Sequence, residues 1–235
     1  MAIVVGPGIS IGGGILLLTE PPVNGSASFS GSNNLSVPNS AALNPGTGDF
    51  TIEFWTRLTS TTNNASFYRG HNNGVDIFMN PSGRLAMGQA QVSTLITDSV
   101  TMTTGAWVHV AAVRIGATTR LYKNGVQVGA AGDATNYVTD SVNYIGFSGS
   151  IRITGYISNL RVVVGLGVYT GAFTPPTSAL AVTQSSGTNI SAITAGQTRL
   201  LLNTYLGAEF LTDASTNNFT VTNTGGVTSN ALNPF

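Results

Sequence analysis

Apolar and polar residues alternate along most of this chain with a period of two, and no stretch of helix length repeats with a period near 3.6. Phe50, Ile52, Phe54 and Leu58 share one side of the run 50–58, which predicts a strand with a buried face. Val75 to Asn80 and Arg84 to Gly88 flank Pro81, Ser82 and Gly83 and predict a hairpin. Leu121 to Lys123 and Val126 to Val128 flank Asn124 and Gly125, the strongest short hairpin signal in the chain. From Trp107 to Ile115 both parities are apolar, Trp107, Val113 and Ile115 on one and Val108 and Val110 on the other, as in a central strand covered on both faces. Between Gly155 and Gly165 the residues Tyr156, Leu160, Val162 and Val164 have one parity and are expected to point inward. Two more strands are expected at Thr198 to Asn203 and Asn218 to Thr222. The fold class is therefore all-β, a sandwich or barrel of short strands.

The pattern divides the chain into four parts. Residues 1–22 form an apolar arm, with Ile3, Val4, Ile9, Ile11, Ile15, Leu16, Leu17 and Leu18 interrupted by glycines and closed by Pro21 and Pro22. Such an arm is either an edge strand of the sandwich or a segment that docks on a neighbouring subunit, in which case those eight side chains make the contact. It lacks a basic leading region and is too short and Gly-rich to span a bilayer, so neither export signal nor membrane insertion is expected. Residues 23–170 form the sandwich, and 171–197, with Pro175 and Pro176, read as a surface connection. Residues 198–235 hold strands that complete the sandwich or pair with a neighbour.

Composition narrows the function. The 235 residues include no cysteine, so disulfides and thiolate metal sites are excluded. Nine basic and nine acidic side chains give a net charge of zero, and Lys123 is the single lysine, which excludes a nucleic-acid footprint. A neutral surface of Ser, Thr, Asn and Gly resists association poorly, so a homo-oligomer or other ordered assembly, or an extracellular setting, is expected.

Candidate chemistry is sparse. A retaining glycosidase needs two carboxylates about 5 Å apart, whereas Glu53 stands alone on its strand and the other glutamates are Glu20 and Glu209. With two histidines and no nucleophile motif, no catalytic residue is assigned and the protein is expected not to be an enzyme. His109 is expected to be a core or edge histidine with a backbone partner, and His71 to face solvent from its loop. Asp76, Asp98, Asp133 and Asp140 read as solvated loop carboxylates; no cofactor is expected, though they leave a structural calcium ion open. Glycan stacking would use Tyr68, Tyr122, Tyr137 and Tyr169 near Asn-rich loops, while Trp55 and Trp107 read as core.

Five ordered motifs carry a resemblance: Phe50 to Trp55, Trp107 to Arg114, Leu121 to Gly125, Tyr144 to Gly146 and Gly155 to Arg161. Over residues 26–165 the chain resembles the laminin-G-like branch of the concanavalin A-like lectin and glucanase family, which implies a two-sheet antiparallel jelly-roll sandwich and, in some relatives, bound calcium. Ser158 and Asn159 stand where that pattern carries acids, so any role of those acids is lost. The Gly-rich start and the tract Tyr169 to Pro176 resemble short structural proteins of marine tailed phages. That implies a virion component, a capsid decoration or tail appendage with capsid or tail subunits as partners. The alternative is a carbohydrate-binding module of a tail fibre, or of a secreted bacterial protein, that recognises host glycan.

Overall fold

The computed structural model describes residues 24–62, 65–204 and 206–235; the arm of residues 1–22, with its eight candidate docking residues, lies outside them. The chain enters through β1 (Ser26–Ser30) and β2 (Asn34–Val37), then the long β3 (Phe50–Leu58). A meander follows: β4 (Ser66–Gly70), β5 (Val75–Met79), β6 (Arg84–Gln89) and β7 (Ser93–Thr101). Next come β8 (Val108–Ile115), β9 (Thr118–Lys123), β10 (Val126–Gly132) and β11 (Asn143–Ile145). A two-residue-per-arm hairpin, β12 (Phe147–Ser148) and β13 (Ile151–Arg152), leads into β14 (Thr154–Val164). The last strands are β15 (Thr198–Leu202), β16 (Thr222–Thr224) and β17 (Thr228–Asn230).

Two antiparallel sheets result. The first runs β10-β9-β8-β3-β14-β1-β17, with β15 also on β14, and the second runs β16-β2-β11-β4-β5-β6-β7. Between them lie Phe50, Ile52, Phe54 and Leu58 of β3, together with Leu35, Phe67, Ile77, Met87, Val110 and Leu200 from both sheets. These are the positions that period-two alternation puts on one face. Both expected hairpins form; at the second, Asn124 and Gly125 have φ of 50° and 77°, the left-handed pair that a tight two-residue turn requires.

The C-terminal strands all pair within the chain: β15 with β14, β16 with β2 and β17 with β1. Strand β14 departs from strict alternation. Its register on β3 shifts between Ser158 and Arg161, and Asn159 has φ of 53°, so one extra residue bulges out and parity flips. Ile157, Leu160 and Val162 therefore reach the core, while Tyr156 points away from it and is half-buried. The polar pair at the bulge is internally tied: Ser158 Oγ donates to Gly25 O, Asn159 Nδ2 donates to Ser158 Oγ, and Asn159 Oδ1 accepts from Leu180 N.

Residues 165–197 do not stand off the surface. They lie over the outer face of the first sheet, where Val168, Tyr169, Phe173 and Ile193 pack on Ala111, Val113, Tyr122 and Val163. This second, smaller core explains why β8 is apolar on both parities.

Candidate functional site

The four tyrosines expected as stacking platforms are all buried, with at most 1% exposure, and none offers a ring face to a sugar. Each hydroxyl is used inside the fold: Tyr68 donates to Asn143 Oδ1, Tyr122 to Tyr169 O, Tyr137 to Asp133 Oδ2 and Tyr169 to Glu53 Oε2. Tyr68 on β4 and Tyr137 in the segment after β10 turn into the core between the sheets, whereas Tyr122 on β9 and Tyr169 in the 165–197 cover pack against each other in the smaller core.

Glu53 is not alone. Alternation places it on the outer face of β3, where the 165–197 cover seals it. Arg161 donates to its Oε1 through Nε at 2.9 Å and Nη2 at 2.6 Å, Tyr169 donates to Oε2 at 2.6 Å, and His109 Nε2 lies 3.2 Å from Oε2. Arg161 also reaches the cover itself, at Ala181 O and Gln184 Oε1. Burial pushes the Glu53 carboxyl up, but Arg161, His109 and Tyr169 outweigh it and hold it down at about 2. His109 is a core histidine whose partner is this carboxylate, not the backbone, and its Nδ1 has no hydrogen bond. Glu53, His109 and Arg161 are fully buried here, and their bonds tie β3, β8 and β14 to the 165–197 cover.

Of the four aspartates, only Asp140 is a solvated loop carboxylate. Asp98 is buried and pairs with Lys123. Asp133 is buried, accepting from Thr119 and Tyr137 with Arg114 at 3.7 Å; burial pushes its pKa up, but the Thr119 and Thr135 hydrogen bonds and the Arg114 charge outweigh it and lower it. Asp76 lies on a strand. Calcium needs six to eight oxygens, and among the described residues no three His, Cys, Asp or Glu side chains come together.

What the register does bring together is a polar row on the outer face of the second sheet. Directly opposed residues on neighbouring strands share a face, and Thr222, Ser36, Tyr144, Arg69, Asp76, Gly88 and Thr94 are opposed in turn across six junctions. Leu35 and Val37, on either side of Ser36, face the core, so the row faces out. Gly88 contributes no side chain, because a β-carbon there would overlap the Ser93 carbonyl oxygen. Tyr144 is half-buried, and the hairpin β12–β13 leans against it: the Tyr144 and Phe147 rings meet edge to face at 4.7 Å, and the Arg152 guanidinium sits 4.7 Å over Phe147. Ser148 Oγ accepts from Arg69 Nη1 at 2.8 Å. On another side His71 lies 6.1 Å from Tyr144 and bonds Asp140, whose pKa the His71 and Asn72 hydrogen bonds lower to about 2. Half-exposed rings beside carboxylate, guanidinium and hydroxyl groups suit a ligand with apolar and hydroxylated faces.

Trp55 and Trp107, expected in the core, are half-buried on the outer face of the first sheet beyond the cover. Trp107 lies 6.5 Å from Tyr156, and the Arg57 guanidinium is 5.8 Å from the same ring. Trp55 contacts His109 and Phe235.

Comparison with known proteins agrees with this architecture. A candidate carbohydrate-binding protein of Bacteroides ovatus superposes with a TM-score of 0.61 at 17% identity, covering 91% of this chain and 61% of that one, so the chain spans about three fifths of that protein's length. The heptameric SAP-like pentraxin of Limulus polyphemus superposes with a TM-score of 0.52 at 15% identity, covering 90% of this chain and 96% of that one. No protein of curated function matches the sequence. The laminin-G model of the concanavalin A-like lectin/glucanases superfamily matches residues 29–165, more than half of the sequence, and the chain belongs to that superfamily.

Proposed function

We propose that the protein is a non-enzymatic carbohydrate-binding module that holds its ligand on the outer face of the second sheet. The observation that carries this reading is the row Tyr144, Arg69 and Asp76, walled by Phe147 and Arg152. Sugar rings present C–H faces to aromatics and hydroxyls to charged acceptors and donors, and this face supplies both. The Bacteroides ovatus protein shares the fold on which such a face is built. Glycan-array binding of the full chain tests it. Wild type binds at least one glycan, and Tyr144→Ala and Phe147→Ala each lose most of that signal while Trp107→Ala keeps it. Binding that survives both substitutions overturns the placement.

The setting proposed for this module is a phage particle, as capsid decoration or tail appendage, or else secretion from a bacterium. What supports the phage setting is the resemblance of the Gly-rich start and of Tyr169 to Pro176. Mass spectrometry of purified particles tests it: copies near those of the major capsid protein indicate decoration, a handful indicate a tail appendage, and absence removes the virion.

A further inference from the structure

We infer that this face selects neutral sugars with adjacent hydroxyls, gripped by the Asp76 carboxylate and the Arg69 guanidinium as one acceptor and donor pair; the inference rests on the carbohydrate-binding reading above. Asp76 and Arg69 are opposed across β5 and β4, and each side chain keeps about a tenth of its surface exposed. Their closest approach is 3.6 Å, from Arg69 Nη1 to Asp76 Oδ2, an ion pair too long for a hydrogen bond. Asp76 Oδ1 is buried without a partner, and so is the neighbouring Ser66 Oγ. Arg69 uses Nη1 on Ser148 Oγ and points Nε toward His71 O at 3.4 Å, while its Nη2 donates to no other described residue. A buried carboxylate oxygen so poorly satisfied is costly, and burial pushes the Asp76 pKa up to about 6, with Ser66 and Arg69 close enough to offset part of that rise.

A sugar hydroxyl both donates and accepts, so of two hydroxyls on adjacent carbons one can give its proton to Asp76 Oδ2, the oxygen nearer Arg69, while the other accepts from Arg69 Nη2. Gly88, next in the row, carries no side chain, and the Ser93 carbonyl oxygen fills the place of its β-carbon, so a backbone acceptor borders Asp76 on that edge. Anionic sugars are disfavoured by the same arrangement. A carboxylate brought to Arg69 comes within a few ångströms of Asp76, and Asp140 adds a second negative charge beyond His71. Arg152 is engaged over Phe147 and with Asn34 Oδ1.

Calorimetric titration of the full chain with methyl α-mannopyranoside, lactose and 3′-sialyllactose, alongside the glycan array, tests the inference. The expected result is Tyr144-dependent binding of a neutral probe, lactose bound at least as well as its sialylated form, and a loss of about tenfold or more in Asp76→Asn. Arg69→Gln gives an independent loss should Asp76→Asn fold poorly, as judged by its melting curve. Tighter binding of 3′-sialyllactose than of lactose, or neutral-sugar affinity unchanged in both variants, overturns the inference and leaves the carbohydrate-binding reading standing. If no probe and no arrayed glycan binds in a Tyr144-dependent way, that reading fails and the inference with it.

Discussion

Replacing Glu53 by Gln should cost this protein a large part of its stability at neutral pH and change how it responds to acid. The carboxylate is buried against Arg161, Tyr169 and His109. Removing it leaves the Arg161 charge uncompensated in a fully buried site, a change worth about 3 to 5 kcal/mol in comparable buried pairs. The proton linkage gives a similar size. The Glu53 pKa falls from 4.5 to about 2 on folding, and at ~1.4 kcal/mol per unit this is roughly 3 kcal/mol. Because the folded value is depressed, the stabilisation is complete above the unfolded pKa and is lost as pH falls from about 4.5 toward 2. Asp76 acts in the opposite sense: its raised pKa makes ionisation unfavourable to the fold near neutrality and returns stability as pH drops through 6. Both proteins contain Asp76, so its contribution cancels in the difference between wild type and Glu53→Gln. Urea denaturation from pH 7 to pH 3 should show that difference shrinking below pH 4.5, and Glu53→Gln combined with Arg161→Met should lose less than the sum of the single variants by about 1 to 3 kcal/mol. A Glu53→Gln protein within about 1 kcal/mol of wild type at pH 7, or a difference that ignores pH, would refute the reasoning.

Two further perturbations probe other parts of the fold. Gly125 has φ of 77°, and a β-carbon there would overlap the Phe173 carbonyl; Gly125→Ala should cost about 1 to 3 kcal/mol, with hydrogen exchange accelerating in residues 165–197 before it does in β4 and β5. Arg114 is buried, donates to Gly46 O, Gly48 O and Thr135 O, and lies about 5 Å from both the Phe50 and Tyr137 rings, so Arg114→Met should lower stability by about 3 kcal/mol in thermal melts although its bulk is kept.

Strands and hairpins were legible because their signals are local. Alternation in β3 and the Asn124–Gly125 turn need only neighbouring residues to be read. The bulge in β14 escaped because a single left-handed residue reverses parity for everything beyond it; the polar Ser158 and Asn159 inside an apolar run were the available sign. Glu53 looked solitary because its partners come from β14, β8 and the cover, and only the apolar second parity of β8 hinted that this face is shielded. The candidate site was the least legible part. Tyr144 belongs to a local fold motif, but its neighbours Arg69 and Asp76 come from strands whose register is fixed by tertiary packing rather than by any spacing in the sequence.

The joining of the two sheet edges by adjacent strands has a kinetic meaning. Strands β16 and β17, separated by the turn at Gly225 and Gly226, pair with β2 and β1, and Asn33 bonds Gly226 O across 193 positions. At roughly 5 to 20 residues per second of synthesis, β1 and β2 wait on the order of 10 to 40 seconds before those partners emerge from the ribosome. Through that interval one backbone edge of each strand lies open, and the loop that must close is nearly as long as the chain. Such pairing makes for slow folding and leaves a nascent molecule able to take the matching segment from a neighbour, the route to strand-exchanged dimers.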